Sequence, residues 1–386
     1  MNHMRRFLFF LLTYLLALQL NAQTDSCHIQ ISLLTCGPGE DLYSIFGHTA
    51  IRIVDSNSRT DNVYNYGTFD DSDPYFYLKF TRGIMLYSLS VEPLPYFMEE
   101  YRMEHRSVTE QILQLSCRDK LKLLAALQLN AQENNRFYSY HFYQDNCTLR
   151  AREIIRNNTS VPVTFKKILA GSCPSFRQLI HSYLDRSHKY WEKFGIDILM
   201  GGHLDKTVNN EEAMFLPDYL MKGFDSAFID RTSLVCTKRE LLPAGQETEG
   251  KAWFTPALFF TACLIIILSL SLIRAPWSMK LIYVFDFIFF LLIGLFGILM
   301  MFLWLGRIDT VCRNNLNILW AVPTHTVIIF LRKNRKYWVR IYFLCTALLS
   351  AILLIGWKWW PQELNNALIP LCLLIVFRGL AIFSKK

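Results

Sequence analysis

The sequence predicts a chain in two halves of different class, an α+β domain that folds in water and an all-α transmembrane bundle of about five helices. Three observations predict it. Residues 1–22 read as a secretory signal peptide: Arg5 and Arg6 form a basic start, FLFFLLTYLLALQL is the apolar stretch, and Ala22 is a small residue at a cleavage point. From residue 23 to 250 short apolar runs alternate with polar turns. From 251 to 386 the composition turns apolar, with runs long enough to span a bilayer. PAGQETEGK, rich in turn and polar residues, is the expected linker between the halves.

Taken in order, ISLLTCGPG reads as a strand running into a turn, and EDLYSIFG as a short helix. HTAIRIVD and NVYNYGTF alternate like strands and are joined by the polar turn SNSRTD. In that hairpin His48 lies at one end, with Asn65 or Tyr64 near it on the returning strand. RDKLKLLAALQLNAQENN carries leucines at helical spacing and a stop at Asn130. RFYSYHFYQ then leads into YQDNCTLRAREIIRN, where Asp145 and Asn146 are good N-caps for a helix opened by Cys147.

A helix N-terminus favours a thiolate, so Cys147 is placed to be a nucleophile. A strand-borne His48 and a helix-opening Cys147 form the layout of papain-like and NlpC/P60-like thiol enzymes, and the order His before Cys points to a circularly permuted version. His48 is then the base, and Asn65 the weaker candidate for the third, orienting group, with Tyr64 its alternative. The competing reading is a half-buried core histidine beside an inert or disulfide-bonded cysteine.

Four apolar runs, near 253–273, 281–305, 338–357 and 367–383, are long enough to cross a bilayer if Arg378 snorkels. A shorter run, Ile318 to Leu331, is a fifth. With the soluble half exported, five spans put Arg274, Lys280, Arg332, Lys333, Arg335, Lys336, Arg340, Lys385 and Lys386 inside, against Arg307, Arg313 and Lys358 outside. That asymmetry obeys the positive-inside rule, and four spans would break it. The expected location is the inner membrane, multi-pass, with the α+β domain on the periplasmic side. The net charge of +8 is partly topological, and no zinc spacing, RNA-binding signature or basic recognition helix makes it a nucleic-acid signal.

Of ten cysteines, Cys27, Cys36, Cys117, Cys147, Cys173 and Cys236 fall in the exported half. A domain of this size buries a core without a disulfide framework, although Cys27 with Cys36, or Cys173 with Cys236, are open pairings. CxxC and HExxH are absent, so a structural or catalytic zinc is not expected, and no cofactor is expected either. His105, His141, His181, His188 and His203 have no ligand spacing and read as surface or satisfied core residues.

CGPGEDLYSIFGHTAIRIVD, VYNYGTFD, FYLKFTRG, the NCTLR run and MFLPDYL resemble, in the right order, the Lnb N-terminal periplasmic domain, and NNLNILWAVP resembles its partner membrane domain. The resemblance implies a lipoprotein N-acyltransferase, which moves an acyl chain from a phospholipid to the amino group of a lipoprotein's diacylglyceryl-modified N-terminal cysteine. It implies Cys147 as nucleophile and His48 as base, and leaves the orienting residue open. The chemistry fits independently, since a Cys147 thioester is activated toward an amine and a dry site near the bilayer keeps water from competing. Arg307 and Arg313 on an outer loop are candidates to grip a phosphate head group, interfacial anchoring being the favoured reading. A murein peptidase, a phospholipid hydrolase and a non-enzymatic envelope scaffold are the alternatives. Glycoside hydrolysis lacks its pair of carboxylates in a motif context.

Overall fold

A computed structural model describes residues 27–69, 74–171, 173–245, 253–273, 275–334 and 336–384. The signal peptide at 1–22 and most of the linker lie outside the described residues. The α+β half runs β1 (Ile29–Cys36), β2 (His48–Asp55), β3 (Thr60–Phe69), α1 (Phe76–Thr81), β4 (Leu86–Pro93), α2 (Leu94–Met103), β5 (Val108–Leu113), α3 (Cys117–Asn130), β6 (Phe137–Ser139) and α4 (Cys147–Asn157). It continues with β7 (Val163–Thr164), α5 (Phe176–Arg186), α6 (Tyr190–Leu199), α7 (Pro217–Asp225), β8 (Phe228–Ile229), β9 (Thr232–Ser233) and β10 (Val235–Leu242).

Seven strands form one antiparallel sheet in the order β10-β5-β1-β2-β3-β4-β6. β1 lies inside the sheet between β5 and β2 and is buried on both faces, with Ser32 and Thr35 buried beside its apolar residues. Successive side chains point to opposite faces. Ile31, Leu33, Ile51, Ile53, Tyr64 and Tyr66 pack with α3, α4 and α7, while Leu34, Cys36, Ala50 and Val63 pack with Phe97, Met98 and Tyr101 of α2.

Two local expectations are corrected. EDLYSIFG forms turns instead of a helix: Ile45 N–H reaches Asp41 O at 2.9 Å, but the Ser44 hydroxyl also bonds back to Asp41 O and Gly47 N–H closes onto Ser44 O. Such back-bonding offers the chain an alternative to a second helical turn. The disulfide joins Cys27 to Cys117, tying the lead-in of β1 to the first turn of α3, whereas Cys36, Cys173 and Cys236 are free.

The second half holds α8 (Pro256–Ile273), α9 (Pro276–Gly306), α10 (His325–Leu331), α11 (Tyr337–Ile355) and α12 (Leu368–Ser384). Among the described residues α8, α9 and α11 are long and apolar enough to cross a membrane, and α12 is an apolar helix of 17 residues. The run 318–331 is not one helix. A 3-10 turn at Leu316–Leu319 breaks at Pro323 before the seven residues of α10 begin, because proline supplies no N–H and restricts the residue before it. This broken segment lies antiparallel along α9: a Cβ on Gly297 would meet Pro323 N at 2.8 Å, and one on Gly294 would meet Thr326 N at 2.6 Å.

Arg378 does not snorkel. It is 2% exposed and donates from Nε and Nη2 to the two oxygens of Asp286 at 2.7 and 2.9 Å, and Arg332 pairs with the same carboxylate at 2.8 Å. A guanidinium in an apolar bundle is held by a carboxylate when water is not available to solvate it.

Candidate active site

Strand parity and register bring the sequence-selected residues together. His48 and Ala50 point to the α2 face of β2, and Val63 and Asn65 to the same face of β3, while Tyr64 turns into the opposite core. The register Ile51↔Tyr64 sets Asn65 diagonal to His48, and His48 Nε2 donates to Asn65 Oδ1 at 2.6 Å. The amide oxygen fixes Nε2 as the protonated nitrogen, which leaves Nδ1 as the acceptor for a thiol proton. Continuing the register puts Gly67 across from His48. Its φ is +115°, and a Cβ there would stand 3.1 Å from His48 Cε1 and 3.6 Å from Cys147 Cβ. Only glycine leaves room for the pair.

Cys147 opens α4, whose N-cap is Asn146: Oδ1 accepts from Leu149 N–H at 2.9 Å, and Nδ2 donates to Phe142 O and Phe215 O, each at 2.8 Å. Asp145 is not the cap and instead forms a two-pronged ion pair with Arg150 at 2.6 and 2.7 Å. Phe215, Leu216 and Pro217 of MFLPDYL line the same cavity as Cys147. MFLPDYL therefore packs against the site.

Burial alone would push the Cys147 thiol up, but the adjoining His48, by charge and by hydrogen bond, outweighs it, helped by Thr49 N–H and the Thr148 hydroxyl. Together they bring it down to about 7. His48 moves the opposite way: burial would lower it, yet Cys147 and the bond to Asn65 hold it above the ordinary histidine value against the repulsion of Arg106. Cys36, buried close by, is pushed up to about 12 by desolvation and is a spectator thiol. The Cys147–His48 pair faces a cavity of about 680 Å³ with aromatic walls that include Phe46, Phe69, Tyr87, Phe142 and Phe215. A larger cavity of about 940 Å³ lies at the junction with the helical half, lined by His181, Asp197 and Trp360, and contains none of the three residues. Among the described residues no cluster of His, Cys, Asp or Glu could hold a metal ion.

Two family models match the chain, the Lnb N-terminal periplasmic domain over residues 17–181 and the Lnb transmembrane domain over 247–386. The chain belongs to the Lnb family. It is a membrane protein with a periplasmic domain and transmembrane helices. No curated protein and no solved structure matches it.

The soluble and helical halves are joined by a buried polar seam. Asn317 Nδ2 donates to Asp197 O at 2.9 Å, Asn315 Nδ2 to Ile198 O at 2.8 Å, Gln362 Nε2 to Met200 O at 3.3 Å, and Asn365 Nδ2 to Asp197 Oδ2 at 2.8 Å. Asp197 also accepts from the buried Arg177 at 2.9 Å. Phe194 and Ile198 of α6 enter the apolar core of the helical half. The asparagines of NNLN thus stitch the membrane domain to α6. Arg307 is likewise engaged, bonding Asp309 and donating to Phe80 O at 2.9 Å, whereas Arg313 is exposed. The turn that delivers Cys147 also touches this loop: His141 Nε2 lies 3.3 Å from Asp309 O, and Tyr143 packs against Leu303, Val311 and Cys312. Phe215 lies in the MFLPDYL stretch already quoted from the sequence, whereas Gly67 and Arg106 went unselected there, and of these two only Gly67, a glycine inside an alternating strand, carried a local signal.

Proposed function

We propose that this Lnb-family protein is an apolipoprotein N-acyltransferase of the inner membrane, multi-pass, with Cys147, His48 and Asn65 as a permuted papain-like triad on its periplasmic side. The observation that carries the reading is that the turn delivering an acidified thiol is seated on the membrane domain. His141 and Tyr143 touch the loop after α9, and between them Phe142 lines the cavity that Cys147 faces. A murein peptidase has no need of that contact.

In the first half-reaction His48 Nδ1 takes the thiol proton and the Cys147 sulfur attacks an ester carbonyl of a phospholipid. The oxyanion faces the backbone N–H of Cys147, which has no partner within the helix at its first turn. As the C–O bond breaks, His48 returns the proton to the glycerol oxygen, a lysophospholipid leaves, and the acyl group remains on sulfur as a thioester. In the second half-reaction the α-amine of a diacylglyceryl-cysteine lipoprotein attacks that carbonyl. His48 takes one proton from the amine, the C–S bond breaks, and the sulfur recovers the proton as the amide leaves. Neither a cofactor nor a metal enters. The aromatic walls keep water from competing with the amine.

Purified protein given phospholipid without an amine should accumulate a fatty acyl group on Cys147, releasable by neutral hydroxylamine. A diacylglyceryl-cysteine peptide with a free α-amine should discharge it to the N-acyl peptide, and the same peptide with a blocked amine should not. Free fatty acid formed at equal rates with and without peptide would make the protein a phospholipid hydrolase. Cleavage of a labelled muropeptide with no acyl-enzyme would install the peptidase reading, and an active Cys147→Ala protein would remove the triad.

A further inference from the structure

The cavity that serves Cys147 contains a buried cation to which neither half-reaction assigns a role. Cys36, the last residue of β1, pairs with His48 on one side and with Val108 on the other. Strands lie about 4.8 Å apart, so the two flanks of Cys36 are separated by about 10 Å, and Arg106 stands just ahead of β5 on the flank opposite His48. Arg106 is 5% exposed and lines the same cavity as Cys147. Its Nε donates to Gly37 O at 2.9 Å, its Nη1 to Glu104 Oε2 at 2.8 Å, and the Tyr101 ring lies 4.7 Å from its guanidinium carbon. Among the described residues these bonds use two of the five N–H groups an arginine offers.

The remaining charges complete a pattern. Besides Arg106 and the Cys147–His48 pair, the charged side chains lining the cavity are Glu92 and Glu100. Arg106 keeps its ion pair with Glu104, and Glu100, exposed and one helical turn before Glu104, lines the same cavity as the guanidinium. One fork-shaped cation and one carboxylate lining a single cavity are complementary to a group that joins an anionic oxygen cluster to an ammonium by a short linker. Arginine binds phosphate oxygens in two-pronged fashion, and a desolvated guanidinium gains most from such a partner. The ester carbonyls of a glycerophospholipid are only a few bonds from its phosphorus, so a phosphate on Arg106 leaves an ester within reach of the thiol across β1.

Resting on the acyl-transfer reading, we infer that Arg106 holds the phosphodiester of the acyl donor and Glu100 its head-group ammonium, so that the preferred donor is a zwitterionic aminophospholipid. A phosphatidylglycerol donor satisfies Arg106 but brings no cation to Glu100, and a diacylglycerol satisfies neither. Donor choice then follows from the charges lining the cavity, independently of the acyl chain.

The test is the rate of Cys147 acylation, read by intact mass, of the full-length protein in detergent with dioleoyl phosphatidylethanolamine, dioleoyl phosphatidylglycerol or dioleoylglycerol. Wild-type protein should rank the donors in that order, with at least a tenfold gap between first and last. Arg106→Gln should shrink the ratio of phospholipid to diacylglycerol rates at least tenfold, and Arg106→Lys, which keeps the charge but not the fork, should give an intermediate ratio. Glu100→Gln, at an exposed position, should abolish the preference for phosphatidylethanolamine over phosphatidylglycerol. Equal wild-type rates with all three donors, or Arg106 variants that slow all three alike, would overturn the head-group site while leaving acyl transfer standing. Failure of every donor to acylate wild-type Cys147 would instead overturn the acyl-transfer reading itself.

Discussion

His48 and Asn65 are diagonal partners on one face of adjacent strands, joined by a 2.6 Å hydrogen bond from the imidazole Nε2 to the amide oxygen. The bond fixes the imidazole tautomer and turns Nδ1 toward Cys147. Asn65→Ala should therefore lower acylation of Cys147 about 10- to 100-fold, less than loss of the base itself, which general acid–base catalysis puts at about 10²–10⁴-fold. Tyr64→Phe should leave the rate within about twofold, because Tyr64 points to the other side of the sheet. A Tyr64→Phe loss equal to that of Asn65→Ala would move the orienting role off Asn65.

Hairpin periodicity made much of this pair legible in the sequence. His48, Asn65 and the helix opened by Cys147 follow from alternation, a polar turn and an N-cap, all of which are local. The choice between Asn65 and Tyr64 needed the register, since adjacent strand residues face opposite ways. What was not legible depends on distant pieces of chain. The Cys27–Cys117 bridge spans 90 residues, and no spacing rule selects it from the other pairings. Arg106 joins the cavity because β5 pairs beside β1, a contact that no local pattern announces. Arg378 reads as a snorkelling residue until the bundle delivers Asp286 to it.

The pH dependence of thiol reactivity follows from the opposed shifts of Cys147 and His48. A thiol brought down from 9.0 to about 7 is half ionised near neutrality, where an ordinary one is roughly 1% ionised. Because His48 is held above its usual value, the imidazolium that stabilises the thiolate persists to higher pH than an ordinary histidine would allow. The rate of Cys147 alkylation by iodoacetamide should climb through a midpoint near pH 7. Removing the first opposing cause with His48→Ala should carry that midpoint upward and cut the rate at pH 7 by roughly 10- to 50-fold. A midpoint unchanged in the variant would mean that groups other than His48, such as Thr49 N–H and the Thr148 hydroxyl, set the thiol.

Gly67→Ala tests the close approach behind the pair. The new methyl would press on His48 Cε1, and the backbone at φ +115° resists any Cβ, at a strain cost of about 1–3 kcal/mol. The expected result is loss of most Cys147 acylation, with the protein still inserted in the membrane and somewhat less heat-stable. Wild-type acylation in Gly67→Ala would show that the imidazole does not need its present position.

The broken segment along α9 bears on topology. Asn315 and Asn317 bond the α6 end of the soluble half, while Arg332, at the other end of the segment, reaches Asp286 ten residues into α9. Pro323 divides the run, yet the segment follows α9 from Gly297 beside Pro323 to Asp286 beside Arg332, so it should traverse the membrane against α9 and raise the crossings to five. Basic residues of the 332–340 loop and the C-terminal lysines then share the inner side. A reporter active only outside the inner membrane should be silent when fused after Lys386 and active when fused near Cys312. Activity after Lys386 would return the 318–331 segment to the outer side as a re-entrant hairpin.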